Sequence, residues 1–235
     1  MNTRTQAFVL LLFGWALLRL ATTDALLRYV RPVTRPWIVL ASLTMLGLAV
    51  WSLVAVPPFG DQHPHGDAAD ERGHRSASRA AWLVLAPVVA ILVVAPPGLG
   101  AYTAKRLPVS QIKPLARHVP PLNGADPVAV SLLDYYGRAA FDDGRTLADH
   151  HITLTGFALR TVPGGFEMAR LVITCCAADA QPVIISVRTP VPTPARDTWV
   201  TVTGEYGGMS PSDATVPVLR ADAVTPIRQP ANPYD

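Results

Sequence analysis

The stretch ARLVITCCAADAQPV, residues 169–183, decides how the second half of this chain is read. It opens as a strand, in which successive side chains alternate between two faces. Phe166, Met168, Arg170, Val172, Thr174 and Cys176 share one face, and Glu167, Ala169, Leu171, Ile173 and Cys175 share the other. The apolar trio Leu171, Ile173 and Cys175 marks the expected core face. That places Cys176 on the opposite side, beside Thr174 and Arg170. The alternation breaks at Ala177-Ala178-Asp179-Ala180, and Pro182 punctuates the start of the next apolar run, Val183 to Val187.

Short alternating segments flank this stretch on both sides. Ile152 to Arg160 reads as a strand, and Pro163-Gly164-Gly165 reads as the hairpin turn that follows it. Val183 to Arg188 and Trp199 to Tyr206 add two strands, and Val216 to Val224 reads as a weaker last one. Ser131 to Tyr136 is a short helix or strand. Gly156 and Gly204 fall inside strands, where glycine marks bends or bulges of the kind a small barrel needs. The expected fold of residues 127–228 is an all-β, OB-like Greek-key barrel, with a small open sandwich as the alternative. A Pro-rich linker over 105–126 precedes it and a tail over 229–235 follows.

The first hundred residues are of a different kind. The chain of 235 residues is 50% hydrophobic and only 16% charged, too apolar for an ordinary soluble domain, and the apolar excess lies N-terminal. Three membrane spans are expected within 1–104, at about 7–29, 37–56 and 80–101. A secretory signal peptide competes for the first, but Ala21-Thr22-Thr23-Asp24 is a poor cleavage site. Trp37 and Trp51 sit near the two ends of the second span, as interfacial aromatics do. Pro87 lies within the third, which alternatively ends as a shorter helix at Ala95. The overall expectation is an α+β membrane protein, multi-pass in the bilayer.

Basic residues next to the spans bear on orientation. Arg28, Arg31, Arg35, Lys105, Arg106, Lys113 and Arg117 lie on one side, against Arg4, Arg72, Arg75 and Arg79 on the other. This bias favours a cytoplasmic C-terminal domain. Greater weight on Arg72, Arg75 and Arg79, which are close to a membrane end, reverses it. The formal charge of +3 is small and sits at membrane flanks. With no interleaving of aromatic and basic residues on the strands, nucleic acid is not an expected partner.

Two regions carry possible metal ligands. The loop over 59–79 holds His63, His65 and His74 among several carboxylates, a donor set for divalent transition metals such as zinc. The plainer reading of that loop is a solvated linker. In a regular strand the thiols of Cys175 and Cys176 face opposite ways and cannot both hold one ion. If the strand breaks at Cys176, its thiol, Asp179 and His150 or His151 converge on a metal. No catalytic set emerges: there is no G-x-S-x-G, P-loop, dinucleotide fingerprint or H-E-x-x-H.

The segment RLVITCCAADAQPV, residues 170–183, together with WVTVTG, residues 199–204, resembles the signature of the YcgQ-like family of bacterial membrane proteins. The resemblance covers most of the chain: helical hairpin, His-bearing loop, third span and C-terminal β domain. It implies an accessory subunit of a two-component permease, partnered by a larger multi-span membrane protein and linked to metal-ion handling. The alternative from another class is a membrane-tethered metal-binding or sensing module with no transport role. An enzymatic role is not expected.

Overall fold

The computed structural model describes residues 3–55, 100–107 and 119–235. The chain divides into two compact units, residues 1–26 with 32–97 and residues 27–31 with 98–235. The expected loop 59–79 and nearly all of the expected third span lie outside the described residues.

In the first unit, helix α1 (Thr3–Ala21) packs along helix α2 (Arg35–Ala55). Ala7, Gly14 and Ala21 on α1, and Ser42 and Ala49 on α2, are buried at seven-residue spacing. Small residues at that period let two helix backbones approach closely along one seam. A Cβ at Gly14 would stand 2.9 Å from Leu46 Cγ, so glycine is required there. Arg35 Nε donates to the Ala21 carbonyl at 2.7 Å and ties the end of α1 to the start of α2. The outer faces display Trp15, Trp37, Leu40, Leu48, Trp51 and Val54, all exposed and apolar.

Among the described residues one helix, Pro32–Ala55, is long and apolar enough to cross a membrane, whereas Gln6–Ala21 is shorter. The expected first span of 7–29 therefore needs correction, since α1 stops at Ala21. Thr22 and Thr23 turn their hydroxyls back onto the Arg19 and Leu20 carbonyls. The chain then tightens into a 3₁₀ turn over Asp24–Arg28. Hydroxyls that bond back in this way favour helix ends. Three spans are not shown. At the end of the expected third, Ala101–Ala104 forms a short helix, α3, that belongs to the second unit.

The second unit is a closed five-stranded barrel. Its strands are β2 (Ile152–Val162), β3 (Gly165–Val172), β4 (Gln181–Arg188), β5 (Trp199–Ser210) and β6 (Asp213–Pro226). Around the barrel the order is β2-β3-β4-β6-β5, and β5 pairs back to β2. Only β4 and β6 run parallel within that ring. A two-residue strand, β1 (Val128–Ala129), adds in parallel to β2. Threonines on β2 and β5 face each other across the closing seam, with Thr153 and Thr203 hydroxyls 2.9 Å apart. Gly204 sits at a register shift between β5 and β6, where a Cβ would fall 2.0 Å from the Arg220 carbonyl. The expected mid-strand bend is thus a bulge that only glycine permits.

The segment after β1 is helical: α4 (Leu132–Phe141) begins at Ser131, whose hydroxyl accepts from Asp134 N at 3.1 Å. Leu132, Tyr135, Tyr136 and Ala139 on one face of α4 join Leu154, Phe166, Met168, Ile185, Val202 and Leu219 in the barrel core. A second core covers the outside of the same strands, formed by Phe157, Leu159, Ala169, Leu171, Ile173, Trp199, Tyr234 and two alanines of α3. Strands β2 and β3 are therefore buried on both faces. The residues expected as a tail pack here too, since Tyr234 is 2% exposed.

Arg170 holds this end of the barrel. It donates to the carbonyls of Thr155, Asn232 and Tyr234, and its Nε lies 3.0 Å from Asp235 Oδ1. Asp235 also accepts from Leu133 N in the first turn of α4, at 3.1 Å. Burial pushes the Asp235 carboxyl up from its ordinary range, while Arg170 and the backbone donors pull it down.

Two predictions follow from this packing. Gly14→Leu should cost about 1–3 kcal/mol through forced separation of α1 and α2. A Cβ at Gly47 meets no described neighbour within 4 Å, so Gly47→Leu should leave thermal unfolding in mild detergent unchanged. Equal effects of the two would disprove the close seam. Arg170→Ala removes one partner of an ion pair whose side chains are 14% and 5% exposed, and should cost about 3 kcal/mol. Urea unfolding followed by Trp199 fluorescence measures that loss, and a cost below about 1 kcal/mol, the level of a surface pair, would show that the pair does not brace the barrel.

Candidate functional site

Strand β3 ends at Val172, three residues earlier than a strand through Cys175 requires. Ile173 is still buried, but Thr174 and Cys175 are exposed and Cys176 is half-buried. The expectation of a core Cys175 is thereby corrected. The core face it belonged to is only one of two: Phe166 and Met168, expected opposite it, fill the barrel interior. Alternation therefore could not single out one buried face, because both are covered.

What replaces the strand is a turn organised by Asp179. Its Oδ1 accepts from Thr174 N and its Oδ2 from Cys175 N, each at 2.8 Å, and Oδ2 also receives Cys176 N at 3.5 Å. Cys176 caps the following 3₁₀ turn, Ala177–Asp179, and its sulfur accepts from the Asp179 backbone N–H in a reciprocal capping box. Residues 177, 178 and 180 are alanines, so no large side chain intervenes between the cysteines and the carboxylate.

A second strand of chain, residues 27–31, lies against this turn. Val30 forms a β-bridge with Cys176, Arg31 N donates to the Cys175 carbonyl at 3.3 Å, and Ala177 N donates to the Tyr29 carbonyl at 2.6 Å. The Tyr234 hydroxyl donates to the Arg28 carbonyl at 2.5 Å. The backbone of the dithiol turn is thus hydrogen-bonded on both sides. Nothing in the short basic sequence Leu27-Arg28-Tyr29-Val30-Arg31 signals this docking.

One ligand atom each from Cys175, Cys176 and Asp179 lies within 4.8 Å of the others. Of the sequence-derived candidates, Cys176 and Asp179 come together, and Cys175 joins them from the supposed core. His63, His65 and His74 lie outside the described residues. His151 is not among the gathered donors. Its ring stands 3.4 Å from Asp126 and 3.6 Å from both Glu205 and Asp222.

The turn's electrostatics are dominated by the carboxylate. Hydrogen bonds from the Cys175 thiol and then from the backbone N–H groups of Cys175, Thr174 and Cys176 hold Asp179 down to about 2. The same contact, with a further one from Cys176, pushes the Cys175 thiol up to about 11. The exposed thiol is therefore the protonated donor to a fixed anion, a poor nucleophile at neutral pH.

Fold and site together define a closed five-stranded barrel that displays a vicinal-thiol turn at one end of β3. Residues 142–234 match the DUF1980 C-terminal domain family, a segment that runs from the end of α4 through the whole ring of five strands and the CCAAD turn. No curated protein matches the chain, and no solved structure does.

Alkylation tests the proton assignment. Cys175 labelling should accelerate about tenfold per pH unit below its titration near 11. Asp179→Asn should raise the neutral-pH rate by removing the charge that disfavours thiolate. A rate indifferent to both pH and Asp179 would refute the thiol–carboxylate bond.

Proposed function

We propose that the chain is a membrane-anchored accessory subunit whose OB-like barrel domain binds a thiophilic divalent cation such as zinc at Cys175, Cys176 and Asp179. The observation that carries the reading is the meeting of two sulfurs and a carboxylate oxygen within 4.8 Å on one short turn. Thiolate and carboxylate are accepted zinc ligands, and bonds of about 2.0–2.3 Å place tetrahedral ligand atoms roughly 3.3–3.8 Å apart. The donor atoms, within 4.8 Å of one another, would have to draw together by about an ångström to reach that spacing. Three protein donors leave a fourth position for water or a partner's ligand. The ion would take the place of the Cys175 proton, so its affinity rises with pH.

The OB-like assignment is supported by the strand order and by the single parallel pairing, β4 with β6. The apolar outer surface of α2 and its length support anchoring in a bilayer. The accessory role rests on the family resemblance of RLVITCCAADAQPV and on the scarcity of polar groups along α1 and α2, which offer no path for a solute. A tethered metal-binding module without transport is the second reading, favoured by the turn alone. No catalytic role is assigned.

Cobalt(II) titration of the detergent-solubilised chain tests the site. One equivalent should produce thiolate-to-cobalt absorption, which Cys175→Ser or Cys176→Ser abolishes and Asp179→Asn weakens by about 10-fold or more. Absence of that absorption at ligand excess sinks the metal reading. Purification in gentle detergent tests the other half: if the protein emerges reproducibly without a multi-span partner, only the tethered module survives.

A further inference from the structure

We propose that the outer face of β2, β3 and β4 is a docking groove for an extended acidic segment of a partner polypeptide. Two depressions of about 430 and 540 Å³ adjoin on this face and share Arg160, Glu167 and Ile184 as a common wall. Each is of the size of a small-ligand site. One runs towards Lys105 and Arg196, the other towards Arg188 and the β5–β6 turn.

Charge selects the occupant. Four cations line the groove, Lys105, Arg160, Arg188 and Arg196, against two acids, Glu167 and Asp213. Both acids are already satisfied. Glu167 is 9% exposed and receives Arg160 Nε and Nη2 at 2.5 Å each, while Asp213 accepts from the Thr215 backbone and hydroxyl. Among the described residues Arg188 donates only to the Pro163 carbonyl, and Lys105 and Arg196 have no side-chain partner. The buried Glu167 fixes Arg160 at the centre of the trough, with its Nη1 left for an incoming carboxylate. Guanidinium groups at intervals suit carboxylates along an extended chain.

The lining chooses among anions. Among the described residues no aromatic lines either depression, so bases have no stacking platform there and a single-stranded nucleic acid is disfavoured. Leu159, Val162 and Ile184 instead supply an apolar floor for aliphatic side chains. Strands β3 and β4 are paired on both edges, which rules out strand addition and leaves side-chain recognition.

The test uses the full chain in mild detergent and fluorescence anisotropy. The probes are a labelled peptide of alternating Glu and Leu, its Gln/Leu counterpart, and a labelled oligothymidylate. The Glu peptide should bind, more weakly as salt rises, and the Gln peptide about tenfold less well. Lys105→Glu with Arg196→Glu, two exposed positions without structural bonds, should weaken the Glu peptide about tenfold. Arg145→Glu, outside the groove and 80% exposed, should leave it unchanged. Equal binding of the two peptides, no effect of the double reversal, no binding at all, or tighter oligothymidylate binding would each overturn the proposal.

Discussion

Closure of the barrel is the constraint on which the C-terminal unit depends. Five strands must coil enough for β5 to return to β2, and β5 does so by a bulge at Gly204, pressed against the Arg220 carbonyl. Once the ring closes, each of its five strands has two neighbours within it, and the ring itself presents no edge for pairing with another chain. Closure also turns one sheet into two surfaces. The inner surface is filled by apolar side chains, Phe166 among them, and plugged by α4, and the outer is covered in part by α3, Trp199 and Tyr234. Where that cover stops, no other described residue covers the face beside Arg160 and Ile184.

Asp179 links the shape of the dithiol turn to its chemistry. The oxygens that would meet a cation already hold the N–H groups of residues 174–176. The turn therefore has a sufficient structural cause in its own hydrogen bonds. The same bonds preorganise three donors, so little conformational entropy is lost on capture of an ion. In the proposed site a proton and a metal would compete for the Cys175 sulfur, and the carboxylate that stabilises the proton would itself become a ligand.

Two arginine–carboxylate pairs in the unit differ in burial, and with it in consequence. Arg170 and Asp235 are both largely withdrawn from water, and their loss would strand a charge among the C-terminal residues and α4. The Arg160 side chain is 67% exposed over a Glu167 side chain that is 12% exposed, so the pair anchors a cation at the surface. The first braces the fold, and the second sets the charge of a groove.

The sequence by itself determined the two-part organisation, because apolar runs without charge and alternating strands with turn residues have different periods. It determined strands at 152–160, 183–188 and 199–206, the 163–165 turn, and the bend at Gly204, all set by local pattern and glycine geometry. The union of Cys176 with Asp179 was legible only as a conditional, since it required the strand to end early. Tertiary structure decided the rest. Both faces of β3 are covered, which no alternation rule can express, and the end of β3 at Val172 follows from Asp179 capturing three N–H groups. The docking of residues 27–31, the burial of Tyr234 and the meeting of Arg170 with Asp235 join positions far apart in the chain. Such contacts leave no local signature, because they depend on where barrel closure brings the termini of the unit.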